Sequence, residues 1–197
     1  MMSHSFLYAL TSLGNSIVTL PIAAAVLVWL AIWLDRRAAL AWLVALVACG
    51  AVTAAVKIYF HACPVRGVDL TSPSGHTSLS LFVYGGLVLV TGARWGRWPR
   101  LGLALLGALF ILAIAVSRLV LEYHSRIEIV IGTAIGGAAL ALFWRSFRHL
   151  APTPIPMWPI WLAALVPIVL LHTHQLPTES LLTRLALYLR TSVDFCA

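Results

Sequence analysis

The residues best suited to chemistry in this sequence lie between Ser117 and Gly132, at the seam between two apolar runs. Arg118, His124 and Glu128 fall within that stretch. A charged side chain at the centre of a membrane helix costs roughly 2.5 to 3.5 kcal/mol, so such residues usually pair or serve a site. His124 and Glu128 are four residues apart and share one face if a helix starts here. The spacing therefore predicts a paired histidine and carboxylate inside a helix bundle.

A second polar group comes earlier in the chain, where one apolar run ends and the next begins. It consists of Lys57, Arg66 and the sequence Pro73-Ser74-Gly75-His76. Together the two groups supply two histidines, three cations, a serine and a carboxylate, which suit a phosphate. Cations and helix N-terminal amides stabilise phosphoryl oxygens. One histidine then attacks phosphorus and the other protonates the departing oxygen, with no metal required.

The composition places this chemistry in a membrane. Hydrophobic residues make up 61% of the chain and charged residues only 10%, with a mean hydropathy of +0.98. These values lie far outside the range of a soluble domain and predict a multi-pass membrane protein. The net charge of +7 comes largely from arginines that stand singly or in pairs at the ends of apolar runs, which argues against nucleic-acid binding. Three cysteines offer no metal-ligand spacing.

The apolar runs predict a single all-α integral membrane domain over residues 1–197, a bundle of six transmembrane helices with short interfacial helices at both termini. A short helix over Ser5–Leu13 ends at Gly14-Asn15, and the tail 177–197 forms an amphipathic helix on the membrane surface. Six runs between them approach the length that a bilayer requires. They are Ile17–Leu34, Ala38–Phe60, Gly75–Gly92, Leu101–Leu121, Ile127–Trp144 and Pro159–His172.

The arginines predict an orientation, because short cytoplasmic loops carry the excess of Lys and Arg. Seven arginines lie in the loops after the first, third and fifth spans, against two in the loops on the other side, Arg66 and Arg126. Both termini and the polar groups described above are then expected on the non-cytoplasmic side. Cys63 and Cys196 share this oxidising side, where a disulfide between them is an open alternative to two free thiols.

At these residues the sequence resembles the type 2 phosphatidic acid phosphatase superfamily. Pro73-Ser74-Gly75-His76 matches the second family motif. The third motif is matched in spacing by Ser117-Arg118, five residues, His124, three residues and Glu128. The resemblance covers roughly Lys57–Gly132. It implies an all-helical membrane phosphatase that uses no cofactor.

The resemblance also implies a role for each residue. His124 is the expected nucleophile that forms a phosphohistidine, Glu128 orients it, and His76 is the general acid. The expected phosphate-binding groups are Lys57, Arg66, Ser74, the Gly75 amide and Arg118. Two positions depart from the family pattern. The third motif of the family ends in Asp rather than Glu, and its first motif places an arginine where this chain has Pro64, two residues before Arg66.

The expected function is hydrolysis of a lipid phosphate or diphosphate at the periplasmic face of a bacterial inner membrane. Candidate substrates are undecaprenyl diphosphate, phosphatidylglycerophosphate and phosphatidate, with membrane lipids as the surroundings. Two alternatives stay open. The first is a phosphotransferase that uses the same phosphohistidine intermediate. The second is a lipid-phosphate binding or transport protein that keeps the positively charged site but has weak catalytic turnover. The sequence does not indicate the oligomeric state.

Overall fold

The structure, a computed structural model, describes residues 4–63, 72–149, 156–171 and 182–188. Regular structure within these ranges is entirely helical, as predicted. Helical turns also cover residues 182–188, and the rest of the predicted tail helix 177–197 lies outside the described residues. The named helices are α1 His4–Ser12, α2 Ser16–Trp33, α3 Arg36–Ala62, α4 Gly75–Gly92, α5 Arg97–Val120, α6 Arg126–Phe147 and α7 Trp158–Leu171.

Four helical stretches in the described part of the chain are long and apolar enough to cross a membrane: Ser5–Trp33, Arg36–Ala62, Arg97–Val120 and Arg126–Phe147. The chain is therefore a multi-pass membrane protein. The other two predicted spans correspond to α4, which has 18 residues, and α7, which has 14. Whether both also cross the membrane stays a prediction.

Helix boundaries follow the capping residues. Asn15 caps α2 by accepting a hydrogen bond from the Ile17 N–H, which separates α2 from the short α1 as the sequence predicts. Asp35 caps α3 in the same way. Helix α5 begins four residues before the predicted Leu101, because Pro99 lies in the first turn, where a missing N–H removes no intrahelical bond.

Helix α4 lies at the centre of the bundle and packs against α2, α3, α5 and α6. Its Phe82 is fully buried and contacts the Trp42 ring of α3 at a centroid distance of 4.5 Å. Trp42 in turn meets Phe143 of α6 edge to face at 5.0 Å. A Cβ on Gly86 would lie 2.2 Å from the Trp42 ring, so this glycine is what lets α3 and α4 approach. The aromatic cluster sets the spacing of the helices that carry the candidate site.

Candidate active site

The turn between α5 and α6 presents His124 between two helix ends. The backbone N–H groups of Tyr123 and His124 both donate to the Arg118 carbonyl, at 3.0 and 3.3 Å. Glu122 has φ of 58°, a left-handed conformation that costs a non-glycine residue about 1–2 kcal/mol and turns the chain out of α5. Ser125 then caps α6 by accepting from the Glu128 N–H. Local bonds therefore fix His124 one residue before α6 is capped.

The Glu128 carboxylate is buried and accepts hydrogen bonds from three directions. Its Oε2 lies 2.8 Å from Nδ1 of His124 and 3.1 Å from the Ser125 nitrogen, which completes a capping box. Its Oε1 accepts from the Ser72 N–H at 2.8 Å. An ionised carboxylate at Nδ1 favours the tautomer whose Nε2 carries the lone pair. This contact gives His124 the form that a nucleophile needs.

The first turn of α4 lies directly beside α6. Ser74 is fully buried and caps α4, with its Oγ accepting from both the N–H and the hydroxyl of Thr77. The Ser74 N–H donates to the Glu128 carbonyl at 3.1 Å. Because Oγ accepts twice, the Ser74 hydroxyl proton is available to a phosphoryl oxygen. The N-terminal amides of α4, including that of Gly75, add positive potential at the same point.

Two glycines of α6 make this close approach feasible. A Cβ on Gly132 would lie 2.6 Å from the Ser74 carbonyl oxygen, and a Cβ on Gly136 would lie 2.4 Å from that of Ser78. Both distances are shorter than any tolerable contact with a backbone atom, so only glycine fits. The two glycines therefore form the surface of α6 against which the first turn of α4 packs.

Lys57 brings a buried cation to the same turn from the last turns of α3. The residue is 3% exposed, and its Nζ would lie 3.8 Å from a Cβ placed on Gly75. One turn earlier, the Thr53 hydroxyl is hydrogen-bonded to that of Ser78 at 3.1 Å, which ties α3 to α4. The Lys57 ammonium therefore lies where it can neutralise an anion bound at the N-terminus of α4.

His76 and Arg118 complete the assembly of predicted residues. His76 is half-buried in the first turn of α4, close enough to Arg118, His124 and Lys57 for electrostatic interaction. Arg118 is 9% exposed and donates from Nη1 to the Thr11 hydroxyl at 3.3 Å. The structure thus brings together seven of the eight predicted site residues: Lys57, Ser74, Gly75, His76, Arg118, His124 and Glu128. The eighth, Arg66, lies outside the described residues.

Thr11 and Tyr123 are the residues that the sequence reasoning missed. The Tyr123 ring lies 4.3 Å from Cζ of Arg118. Tyr123 stands inside the third motif, so its proximity was open to inference from the chain order. Thr11 is 107 positions from Arg118, and no local pattern links the two.

The electrostatics of the site favour a neutral His124. Burial is the largest effect and lowers the pKa of His124 below its usual range. The hydrogen bond that His124 donates to Glu128 opposes this change, whereas the positive charges of Arg118 and Lys57 lower the pKa further. The nearby cations therefore favour the neutral imidazole, which is the form that has a nucleophilic lone pair.

Two further features bear on the surroundings of the site. Cys63, which caps the C-terminus of α3, is disulfide-bonded, whereas Cys49 is a free, buried thiol. Cys196, whose pairing with Cys63 the sequence leaves open, lies outside the described residues. Within the described ranges, no cluster of three or more His, Cys, Asp or Glu side chains is arranged to hold a metal ion.

Comparisons with known proteins agree with the motifs. The model of the PAP2 superfamily matches residues 57–151, a range that contains every predicted site residue. An uncharacterised 22.5 kDa protein in the cps region of Klebsiella pneumoniae is 32% identical over 182 residues, which cover 88% of this chain and 86% of the relative. No solved structure matches the chain. Since the family model spans the paired histidine and carboxylate together with the turn before them, this chain belongs to the PAP2 superfamily.

Proposed function

We propose that the protein hydrolyses a lipid phosphate or diphosphate through a phosphohistidine on His124. Membership of the PAP2 superfamily implies phosphatase-type activity. The observation that carries the finer proposal is the 2.8 Å contact between His124 and Glu128. The N-terminus of α4 packs against the same helix end, and the buried Lys57 lies beside it. An oriented, neutral imidazole beside a positively charged, anion-binding site suits attack on phosphorus.

The first step transfers the phosphoryl group to the protein. The lone pair on Nε2 of His124 forms a bond to phosphorus while the bond between phosphorus and the leaving oxygen breaks. His76 donates a proton to that oxygen, which departs as a lipid alcohol or, from a diphosphate, as the lipid monophosphate. Glu128 stabilises the positive charge that develops on the His124 ring.

The second step returns the protein to its starting state. A water oxygen attacks phosphorus, the bond to Nε2 breaks, and inorganic phosphate leaves. His76, neutral after the first step, accepts the proton of the water. Throughout both steps, Lys57, Arg66, Arg118, the Ser74 hydroxyl and the Gly75 amide hold the phosphoryl oxygens, where charge increases in the transition state. The mechanism calls on no metal ion.

The surroundings of the site support a substrate whose tail stays in the bilayer. Exposed apolar and aromatic side chains stand at the helix ends around it, among them Tyr59, Val120, Tyr123 and Ile127. Tyrosines at such a position are typical of membrane interfaces. Undecaprenyl diphosphate, phosphatidylglycerophosphate and phosphatidate combine a phosphate with an apolar tail and are the candidate substrates.

Two observations support a site on the periplasmic face of a bacterial inner membrane, in a bundle of six spans with both termini outside. The arginines are concentrated in the loops at the opposite end. Cys63, six residues after Lys57, is disulfide-bonded, and disulfides persist in oxidising compartments. A cytoplasm-confined fluorescent reporter fused after Ala197 tests the orientation, and fluorescence from that fusion would overturn it.

The decisive experiment measures phosphate release by the purified protein from the three candidate lipids, with EDTA present and absent. We expect release from at least one lipid, unchanged by EDTA, and a loss on the order of 10⁶-fold in His124→Ala. His149→Ala, at the exposed far end of α6, is the matched control and should behave as wild type.

The alternatives give different results in the same assay. Equal release by wild type and His124→Ala would refute the mechanism. Substrate consumption without stoichiometric phosphate, rising with an added alcohol acceptor, would indicate a phosphotransferase. Binding without turnover would indicate a lipid-phosphate binding or transport protein.

A further inference from the structure

We propose that Thr11 of α1 is a positioning residue for the reaction, holding the Arg118 guanidinium together with the Tyr123 ring. This inference rests on the proposed function, because it assigns Arg118 to a phosphoryl group. With this role, α1 contributes a residue to the surroundings of the candidate active site, whereas the sequence predicts only a short helix on the membrane surface.

The contact between Thr11 and Arg118 is direct and shielded from solvent. The Nη1 atom of Arg118 donates to the Thr11 hydroxyl oxygen at 3.3 Å, and the two residues are 7% and 9% exposed. A hydrogen bond that involves an ionised partner is stronger than one between neutral groups, and burial strengthens it further. Thr11 therefore restrains one edge of the guanidinium.

Tyr123 restrains the guanidinium in a second direction. Its ring centroid lies 4.3 Å from Cζ of Arg118, within the range of a cation–π contact. A ring beneath the guanidinium limits tilting, while the Thr11 bond limits rotation within the plane. Arg118 needs both restraints, because a planar fork binds two phosphoryl oxygens only when its plane is correctly set.

Helix α1 is itself held firmly enough to serve this purpose. The Tyr84 hydroxyl of α4 donates to the Leu13 carbonyl at 2.7 Å, just after α1 ends. A Cβ on Gly14 would lie 2.8 Å from the Ile114 side chain and 2.9 Å from the Ser80 hydroxyl. Such close packing against α4 and α5 fixes Thr11 relative to the helices that carry His76 and Arg118.

The assignment also adds to what family membership provides. The match to the PAP2 superfamily begins at residue 57, so α1 lies before it. A guanidinium held from outside the matched region is a feature of this chain's own architecture. Positioning of a charged group to within a fraction of an ångström contributes to transition-state binding rather than to folding alone.

The first test measures the affinity of the purified protein for inorganic phosphate by calorimetry and the kcat/KM for the lipid substrate. Thr11→Val removes the hydroxyl at nearly constant volume, and we expect both quantities to fall about tenfold. Thr11→Ser should restore them. Ser12→Ala, whose hydroxyl bonds to the Ala9 carbonyl of the same helix, is the matched control and should match wild type.

The second test shows whether Thr11 acts through Arg118. In an Arg118→Lys background the planar fork is gone, so adding Thr11→Val should change phosphate affinity less than twofold. Tyr123→Leu removes the ring and should lower phosphate affinity several-fold. A purely structural Thr11 would give losses that multiply in the double variant.

The outcomes separate this inference from the proposed function. Suppose that no lipid is hydrolysed but Thr11→Val still weakens phosphate binding and Thr11→Ser restores it. The positioning role of Thr11 is then supported, and the proposed lipid phosphatase activity is refuted. Suppose instead that wild-type turnover is normal, and that Thr11→Val leaves phosphate affinity unchanged or its loss of affinity multiplies with that of Arg118→Lys. The positioning role of Thr11 is then wrong, whereas the proposed phosphatase activity is supported. Thermal unfolding of each variant identifies losses that arise from misfolding.

Discussion

The two halves of the candidate site are built in different ways. The half between α5 and α6, from Arg118 to Glu128, is continuous in the chain and held by its own turn and capping bonds. The half between α3 and α4 joins Lys57 to the Ser74–His76 turn, and residues 64–71 of the connection lie outside the described residues. Its described bonds to the rest of the site run largely to α6.

Those bonds show which half depends on the other. The Ser72 N–H donates to the Glu128 carboxylate, the Ser74 N–H donates to the Glu128 carbonyl, and Gly132 contacts the Ser74 backbone. Glu128 thus holds His124 with one carboxylate oxygen and the backbone just before the Ser74–His76 turn with the other. We infer that the start of α6 fixes both halves, and that a Glu at this position serves the second of them.

The largest effect on this arrangement is expected from Glu128→Gln. The amide group cannot accept from both His124 and Ser72, and an N–H facing His124 favours the tautomer without a lone pair on Nε2. We expect kcat/KM to fall roughly 10⁴-fold, as when the carboxylate that orients a catalytic histidine is replaced by its amide. The measurement is steady-state phosphate release on the best lipid.

Glu128→Asp distinguishes the two tasks of this carboxylate. One methylene fewer preserves the charge but not the reach to both His124 and Ser72, so we expect an intermediate loss of about tenfold. Wild-type activity in Glu128→Asp would mean that the contact to Ser72 contributes nothing. A loss equal to that of Glu128→Gln would mean that the rate depends on a side chain long enough to reach both His124 and Ser72, and not on the negative charge alone.

The next effect separates the halves by packing. Gly132→Ala drives a methyl group into the Ser74 carbonyl and must displace the Ser74–His76 turn, while the local bonds of the α5–α6 turn remain. Overpacking costs about 1–3 kcal/mol, so we expect a loss of about 10- to 100-fold in kcat/KM. Gly137→Ala, whose added Cβ would meet only a Leu81 methyl at 3.7 Å, should match wild type. Normal activity in Gly132→Ala would contradict the dependence on α6.

The same difference explains what the sequence predicts well. The pairing of His124 with Glu128 follows from a spacing of four residues at a helix start, which is a local rule. The all-helical membrane fold follows from apolar runs of bilayer length. By contrast, only the fold identifies the backbones of Ser74 and Ser78 as the partners of Gly132 and Gly136.

Other features depend on contacts between residues far apart in the chain, and no spacing reveals these. The bond from Ser72 to Glu128 spans 56 positions, and that from Arg118 to Thr11 spans 107. From the sequence, Glu128 differs from the family Asp only by one more methylene. In the structure its second oxygen accepts a hydrogen bond from the Ser72 N–H. Such contacts are set by tertiary packing, which overrides local patterns.

A smaller effect concerns the pH dependence of kcat/KM, and it tests the electrostatic interaction between the two halves of the site. Burial lowers the pKa of His124, so the neutral nucleophile persists below the usual imidazole value of about 6.5. The acid limb of kcat/KM should therefore lie at lower pH than that value. Glu128→Gln removes the partner that raises this pKa and should move the limb lower. Lys57→Met removes a cation that lowers it and should move the limb higher. Identical limbs in all three proteins would refute the assignment to His124.

The smallest effect is expected from the disulfide of Cys63, although it lies only six residues beyond Lys57. If α6 fixes the α3–α4 half, loss of a covalent link at the end of α3 leaves Lys57 and the Ser74–His76 turn in place. Cys63→Ser should then lower kcat/KM no more than about threefold while reducing thermal stability, since removal of a native disulfide typically costs about 2–5 kcal/mol. Cys196→Ser should reproduce this result if Cys196 is the partner, and Cys49→Ala tests for a general effect of cysteine loss. A fall in activity as large as that of Gly132→Ala would show instead that the covalent link positions this half of the site.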